Sequence, residues 1–233
     1  MVRHLIVSLC LAGLALIFAA LVLGYAPDAA LNRTALWYAE NVAKDVGSQN
    51  VVTAIVVTWR GLDTLGEVTV LFLTAAIVGL ILAPGHRPVD APANDLPPTG
   101  ELLQTGSRLL VPLILLAGVY VFVNGHLTPG GGFQGGAILA SAALLLLLAD
   151  PRHRFAHRTI ETVEAVSGIA YVLLGLAGLA FAGGFLDNRF LPLGRFGDLA
   201  SAGAIPVIYT LIGLKVGAEF ASMLASLSER EGP

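Results

Sequence analysis

Residues 109–149 read LLVPLILLAGVYVFV, then NGHLTPGGG, then FQGGAILASAALLLLLA. The two outer stretches hold 15 and 17 residues and contain no charged side chain, while the middle one is polar and rich in glycine. A helix of about 20 apolar residues crosses the hydrocarbon core of a bilayer. The stretch therefore predicts two membrane spans joined by a tight connection.

Further apolar runs lie on both sides of this pair. They are Leu5–Gly24, about Leu62–Ala83, Val166–Phe185 and Leu199–Leu227. The first run follows Met1-Val2-Arg3-His4 and is as long as a full span, so we interpret it as a helix and not as a cleaved signal peptide. Together the runs predict an all-α, polytopic membrane helix bundle with about six transmembrane helices.

The run from Val51 to Ala83 is too long for one simple crossing. As a single helix it would extend about 50 Å at about 1.5 Å per residue. We therefore expect a break near Gly61, with an interfacial or re-entrant piece before the span.

The composition agrees with a membrane protein. Of the 233 residues, 56% are hydrophobic and 12% are charged, whereas soluble domains carry about a quarter of charged residues. The net charge of -3 offers no basic surface for nucleic acid. Cys10 is the single cysteine, which excludes an intrachain disulfide and a cysteine-based metal cluster. Because zinc, hydrolase and haem motifs are absent as well, we expect a transporter subunit and not an enzyme, without metal or cofactor.

Loop arginines predict the orientation in the membrane. Arg3 precedes the first span, and Asp150–Arg158 holds three arginines in nine residues. With an even number of spans these segments and the carboxyl terminus share one side. The positive-inside rule makes that side cytoplasmic, so we predict that both termini are cytoplasmic.

Charged residues within membrane spans are costly and need a partner, a water-filled cavity or a neutral state. Arg60, Asp63 and Glu67 stand at i, i+3 and i+7, on one face if the segment is helical. They either form a chain along which a proton or cation moves, or a salt-bridge cluster that anchors the helix start. Glu67 lies about one turn deeper than the other two.

Lys215 and Glu219 stand at i and i+4 in the last span. An ammonium and a carboxylate one turn apart satisfy each other's charge, and they can pass a proton when the pair separates. The alternative is that Glu219 lies near the cytoplasmic end and that Lys215 extends towards water.

The glycine-rich connection has two further interpretations. A phosphate-binding loop needs a preceding strand and a Gly-Lys-Ser/Thr sequence, and both are missing. Close helix packing is the better explanation. The residues concerned are Pro129, Gly130, Gly131, Gly132, Phe133, Gln134, Gly135 and Gly136. His126, at the edge of this segment, is a structural residue or a participant in cation uptake.

From about Ser107 onward the chain resembles the B subunit of the multisubunit Mrp-type Na⁺/H⁺ antiporter. The resemblance rests on residues 124–136, NGHLTPGGGFQGG, which we call the signature segment, and on Gly213-Leu214-Lys215. Residues 50–83, with Leu62-Asp63-Thr64-Leu65-Gly66-Glu67, resemble a second module. That module forms the carboxyl end of the antiporter A subunit, or the separate E subunit of membrane-bound hydrogenases.

The resemblance implies a division into three parts. Residues 1–83 are an E-like module, residues 84–107 a proline-rich cytoplasmic linker, and residues 108–233 a B-like domain with four spans. The order is unusual, because the E-like module precedes the B-like domain here. The genome should therefore encode a shortened A subunit, or a complex of the hydrogenase type.

The resemblance also implies a function. The chain is expected in a bacterial or archaeal cell membrane, in a hetero-oligomer with A-, C-, D-, E-, F- and G-like antiporter subunits. It would help to form the path of Na⁺ or another cation in exchange for H⁺, without a cofactor. Two alternatives stay open: the equivalent subunit of a redox-driven ion pump (a membrane-bound hydrogenase or a complex I relative), and a purely structural scaffold.

Overall fold

The computed structural model describes residues 2–25, 30–82, 99–150 and 155–230. Within these ranges every regular element is helical. The α-helices are α1 (Val2–Leu23), α2 (Arg33–Asn41), α3 (Val51–Thr53), α4 (Gly61–Leu82), α5 (Glu101–Val123), α6 (Gly132–Ala149), α7 (His157–Phe181) and α8 (Ile205–Arg230). Two π-helical segments, Val42–Val46 and Ala54–Trp59, and the 3₁₀ turn Asn188–Phe190 complete the description.

Six of these helices are long and apolar enough to cross a membrane: α1, α4, α5, α6, α7 and α8. The prediction of an all-α bundle with about six spans is confirmed. The break near Gly61 is also present, because the helical segment from Val51 ends at Trp59 and α4 begins at Gly61. A Cβ atom at position 61 would lie 2.9 Å from the side chain of Leu186, so only glycine fits this approach.

Three helix starts differ from the sequence expectation. Helix α5 begins at Glu101, so the last part of the expected linker 84–107 is helical, because no proline follows Pro98 and Gly100 opens the helix. The five linker prolines lie outside the described residues. Helix α7 begins at His157, nine residues before Val166. Helix α8 begins only at Ile205, because 199–204 form turns in which Gly203 has a φ of +57°.

By compactness the chain divides into two units, Met1–Trp37 and Tyr38–Pro233. In the second unit α8 is the central helix, and it packs against α4, α5, α6 and α7. Because α4 packs on α8, the predicted E-like module shares a core with the B-like domain from residue 38 onward.

Two of the signature glycines set the distance between α6 and α8. A Cβ at Gly132 would lie 2.6 Å from Cβ of Ile212, and one at Gly136 would lie 2.7 Å from Cβ of Val216. Glycine therefore allows the two backbones to approach more closely than any other residue would.

Hydrogen bonds join three loops at one end of the second unit, which we call the loop end (residues 46–50, 124–131 and 182–204). Asn50 donates from Nδ2 to the carbonyls of Gly125 at 2.9 Å and Thr128 at 3.0 Å. Asn188 donates to the carbonyls of Val46 at 2.8 Å and Ala202 at 2.9 Å. The segment 51–60 begins and ends here, since Asn50 and Gly61 both contact these loops, and it does not cross the bundle.

Candidate intramembrane ion site

Lys215 and Glu219 form an ion pair in the middle of α8. The Lys215 ammonium lies 2.8 Å from Oε1 of Glu219, and the two side chains are 9% and 0% exposed. Lys215 is ten residues from Ile205 and Glu219 eleven residues from Arg230, or about 15 and 16 Å of helix. Neither residue lies near a helix end, so the alternative in which Glu219 sits at the edge and Lys215 extends to water does not fit this geometry.

The pair is not fully satisfied by its own helix. The ammonium approaches Oε1 outside the angles of a regular hydrogen bond, and Oε2 has no hydrogen-bond partner among the described residues. On its other side Nζ lies 4.9 Å from the centre of the Phe72 ring in α4, a cation–π contact. A buried carboxylate with a free oxygen is costly unless water or a proton reaches it.

Glu67 lies on α4, six residues after Gly61, or about 9 Å along the helix from the loop end. Its side chain is exposed and has no ion-pair partner among the described residues. It interacts electrostatically with Tyr171 of α7. Glu67 therefore approaches the buried pair from the loop end, about one turn short of the depth of Phe72.

Arg60 and Asp63 do not extend this line. Arg60 is in the turn before α4, outside the helix, and its guanidinium forms an ion pair with Asp63. Both side chains are more than half exposed. The predicted common face of three charges is therefore limited to Asp63 and Glu67 within α4.

A cavity of about 430 Å³ opens between α4, α7 and α8. Its walls are mainly apolar, and its polar groups come from α7 and α8. The lining residues are Leu65, Val68, Thr69, Phe72, Glu161, Glu164, Ala165, Gly168, Ile169, Tyr171, Val172 and Lys215. The cavity connects the level of the ion pair with the first turns of α7.

Glu161, Glu164 and Tyr171 are residues that our sequence reasoning missed. The two glutamates lie in the first turns of α7, which the sequence pattern placed before the span. Tyr171 is 1% exposed, and its hydroxyl has no partner among the described residues. The available signal was the spacing of Glu161 and Glu164 at i and i+3, followed by a tyrosine seven residues on in an otherwise apolar helix.

His126 lies at the loop end, away from the ion pair. Its backbone carbonyl accepts a hydrogen bond from Ser48 Oγ at 2.9 Å, and ring Nε2 lies 3.4 Å from the carbonyl oxygen of Asp198. The residue is fully buried, and burial lowers the pKa of its imidazole below the ordinary value. The geometry thus holds a neutral histidine between three loops.

The other signature residues contribute packing and turn geometry. Gly130, Gly132 and Gly135 each leave less than 3.0 Å for an added Cβ, against Val121, Ile212 and Gly118 respectively. Among the described residues no group of three His, Cys, Asp or Glu side chains could hold a metal ion.

Two family models match the chain in succession. Residues 102–222 match a domain related to the MnhB subunit of the Na⁺/H⁺ antiporter. Residues 2–94 match the E subunit of MBH. Together the two matches include both Glu67 and the Lys215–Glu219 pair.

Individual relatives agree with these matches. An uncharacterized protein of Methanocaldococcus jannaschii is 32% identical over 190 residues, which cover 72% of each chain. The B subunit of the Na⁺/H⁺ antiporter of Bacillus subtilis is 36% identical over 121 residues, 47% of this chain and 78% of that protein.

Two solved structures share the fold. A chain of the membrane-bound sulfane sulfur reductase, an archaeal respiratory membrane complex, has a TM-score of 0.81 and 38% identity, covering 97% of this chain and 98% of that one. A chain of the Mrp complex from Dietzia sp. DQ12-45-1b has a TM-score of 0.75 and 29% identity. The match covers 98% of this chain but 26% of that one, so the whole fold is similar to one part of a longer subunit.

Proposed function

Because the chain belongs to the family of domains related to the MnhB subunit of the Na⁺/H⁺ antiporter, we propose that it is a membrane subunit of a multisubunit cation/proton antiporter. The resemblance seen in the sequence, to the antiporter B subunit and to the hydrogenase E subunit, is confirmed by the two family matches. The relatives and structural neighbours are subunits of larger membrane complexes. In such a complex this chain helps to form the cation path and has no catalytic chemistry or cofactor of its own.

The buried Lys215–Glu219 pair is the observation that carries this proposal. A charged residue in the middle of a span costs about 2.5–3.5 kcal/mol even by the lowest scales. A pure scaffold has no use for this expense, since apolar side chains of similar volume pack a buried site at least as well. The pair also borders a cavity, so its charge state can change without unfolding the helix.

The position of Glu67 supports assembly with other subunits. An exposed carboxyl group about 9 Å inside a span faces lipid unless another subunit covers it. We propose that an A-, C-, D-, E-, F- or G-like subunit supplies that cover, so that the cation path runs at the interface. In this arrangement residues 1–83 and 108–233 are the E-like and B-like parts of one subunit.

A redox-driven complex is the second candidate, and one observation favours it. The reductase chain matches this chain over almost its whole length, in both directions, with higher identity than the Mrp chain. The same membrane subunit would then be driven by electron transfer in a peripheral arm formed by other chains.

One experiment separates the two candidates. The chain is tagged and purified from its native membranes with its partners, which are identified by mass spectrometry. Antiporter subunits alone, with cation-dependent collapse of a pH gradient in inverted vesicles, support the antiporter. Iron–sulfur subunits in the same complex, with ion pumping that needs an electron donor, would support the redox-driven complex and contradict our first choice.

We further propose that both termini face the cytoplasm. The support is the placement of the loop arginines, together with an even number of candidate spans. Single cysteines at Ser228 and within Asp187–Asp198 are labelled in intact cells with an impermeant thiol reagent, in a Cys10→Ser background. Labelling in Asp187–Asp198 and protection at 228 agree with the proposal, and the reverse pattern inverts the topology.

A further inference from the structure

The cavity between α4, α7 and α8 has a direction. Glu161 and Glu164 lie four and seven residues after His157, or about 6 and 10 Å into α7. Gly168 faces the ion pair, because a Cβ at this position would lie 3.4 Å from Lys215 Nζ. The cavity therefore extends from the glutamates, near the end of the bundle where α8 ends, to the ammonium at the centre.

The deep part of the cavity contains polar atoms that lack protein partners. The Tyr171 hydroxyl lines the cavity, is buried and has no hydrogen-bond partner among the described residues. Oε2 of Glu219, on the helix that carries Lys215, also lacks one. Buried polar groups are normally paired with protein or ordered water. A volume of about 430 Å³ has room for several water molecules, each of which occupies roughly 30 Å³.

The chemistry of the lining fits protons better than metal cations. The Lys215 ammonium at the inner end repels a second positive charge, so a sodium ion would not be held there. Carboxyl, amine and phenol groups can each bind and release a proton through water. Glu164 is the carboxylate of the cavity that interacts electrostatically with Glu219.

From this arrangement we propose that the cavity is a water-filled vestibule for protons and that Glu164 is the carboxylate that relays them to the Lys215–Glu219 pair. The inference rests on the proposed function, which supplies the transport that the relay serves. A proton from water binds the Glu164 carboxylate and then passes through water to the Glu219 carboxylate. Glu164 is left as a carboxylate, ready for the next proton.

Cysteine accessibility tests the vestibule without depending on transport. Glu164→Cys and Gly168→Cys are placed singly in a Cys10→Ser background, in the assembled complex in native membranes. The probe is a small, positively charged methanethiosulfonate. Ser228→Cys marks the side of the carboxyl terminus. Gly79→Cys on α4 is the matched control, because Gly79 also has open space around a Cβ but does not line the cavity.

We expect positions 164 and 168 to react from the side that labels 228, and at least tenfold faster than position 79. Protection of both positions from both sides would mean that another subunit or a lipid fills the cavity, and the inference would be wrong.

Transport variants test the relay itself. We expect Glu164→Gln to reduce exchange at least tenfold at normal subunit levels, and Glu164→Asp to retain a substantial part of it. Gly168→Leu should block exchange by filling the cavity, whereas Gly79→Leu should not. Wild-type exchange in Glu164→Gln would overturn the relay.

The two levels of the account fail separately. If the wild-type complex labels at 164 and 168 but exchanges no cation for protons, the antiporter function is wrong and the vestibule stands. If it exchanges normally while these positions are inaccessible, the vestibule is wrong and the antiporter function stands.

Discussion

The ammonium of Lys215 lies 2.8 Å from Oε1 of Glu219, with both side chains buried at the middle of α8. Three features surround the pair: the Phe72 ring on α4, the cavity between α4, α7 and α8, and the electrostatic influence of Glu164 on α7. A local i, i+4 contact thus becomes the meeting point of three helices. This placement makes the pair sensitive to charge changes on either side.

Glu67 is expected to be required for exchange, because it is the carboxyl group nearest to the pair from the loop end. Glu67→Gln keeps the shape of the side chain and removes the titratable proton, and should abolish Na⁺/H⁺ exchange while the complex assembles. Glu67→Asp should retain part of the activity. Arg60→Gln should have a smaller effect, since Arg60 is more than half exposed and lies outside α4.

The measurement for Glu67 is cation-dependent collapse of a pH gradient in inverted vesicles, with subunit content determined on the same membranes. Full exchange by Glu67→Gln at normal subunit levels would reduce the residue to a contact with a neighbouring subunit.

Gly132 is expected to be essential for packing of α6 on α8. In Gly132→Ala the new methyl group would lie 2.6 Å from Cβ of Ile212, so the helices must separate. Overpacking of this kind costs about 1–3 kcal/mol, and the level of the subunit in membranes should fall. Gly106→Ala in α5 is the control, because nothing lies within 4 Å of the added methyl group. Equal levels of the two variants would contradict this packing role.

His126 should make the loop end sensitive to acid. Burial lowers the pKa of the folded imidazole below the ordinary value of 6.5, so the unfolded state binds the proton more readily. Its contribution to stability is therefore complete above pH 6.5 and declines as the pH falls below it. The melting temperature of the complex between pH 7.5 and 5.5 should fall less steeply in His126→Gln than in the wild type. Parallel curves would show that His126 is not held neutral.

The sequence was sufficient for the spans and for the ion pair. Long uncharged runs have few alternatives to membrane helices, and a lysine followed by a glutamate at i+4 has its geometry set by the helix itself. The start of α4 at Gly61 was predictable for the same reason, since helix length is limited by the thickness of the bilayer.

The cavity was beyond the reach of the sequence. We began the fifth span at Val166, the first residue of an uninterrupted apolar run, and so did not consider Glu161 and Glu164. Tyr171 carries no charge and attracted no attention. The positions of these residues near Lys215 depend on how α7 and α4 pack on α8, which no local pattern encodes. The bonds from Asn50 and Asn188 to distant carbonyls are hidden for the same reason.

The central claim is that the Lys215–Glu219 pair carries protons and does not merely hold the bundle together. Removing one partner of a buried pair leaves an isolated charge and costs about 3–5 kcal/mol, so single substitutions confuse the two roles. The combined variant Lys215→Met and Glu219→Gln removes both charges and keeps both volumes. It should therefore restore assembly even where each single variant lowers it.

The most direct test is the rate of cation-dependent pH-gradient collapse in inverted vesicles that contain this double variant at wild-type subunit levels. Our account predicts a rate at least tenfold below that of the wild type. A wild-type rate in the double variant would contradict it, and would leave the pair as a structural contact in a scaffold subunit.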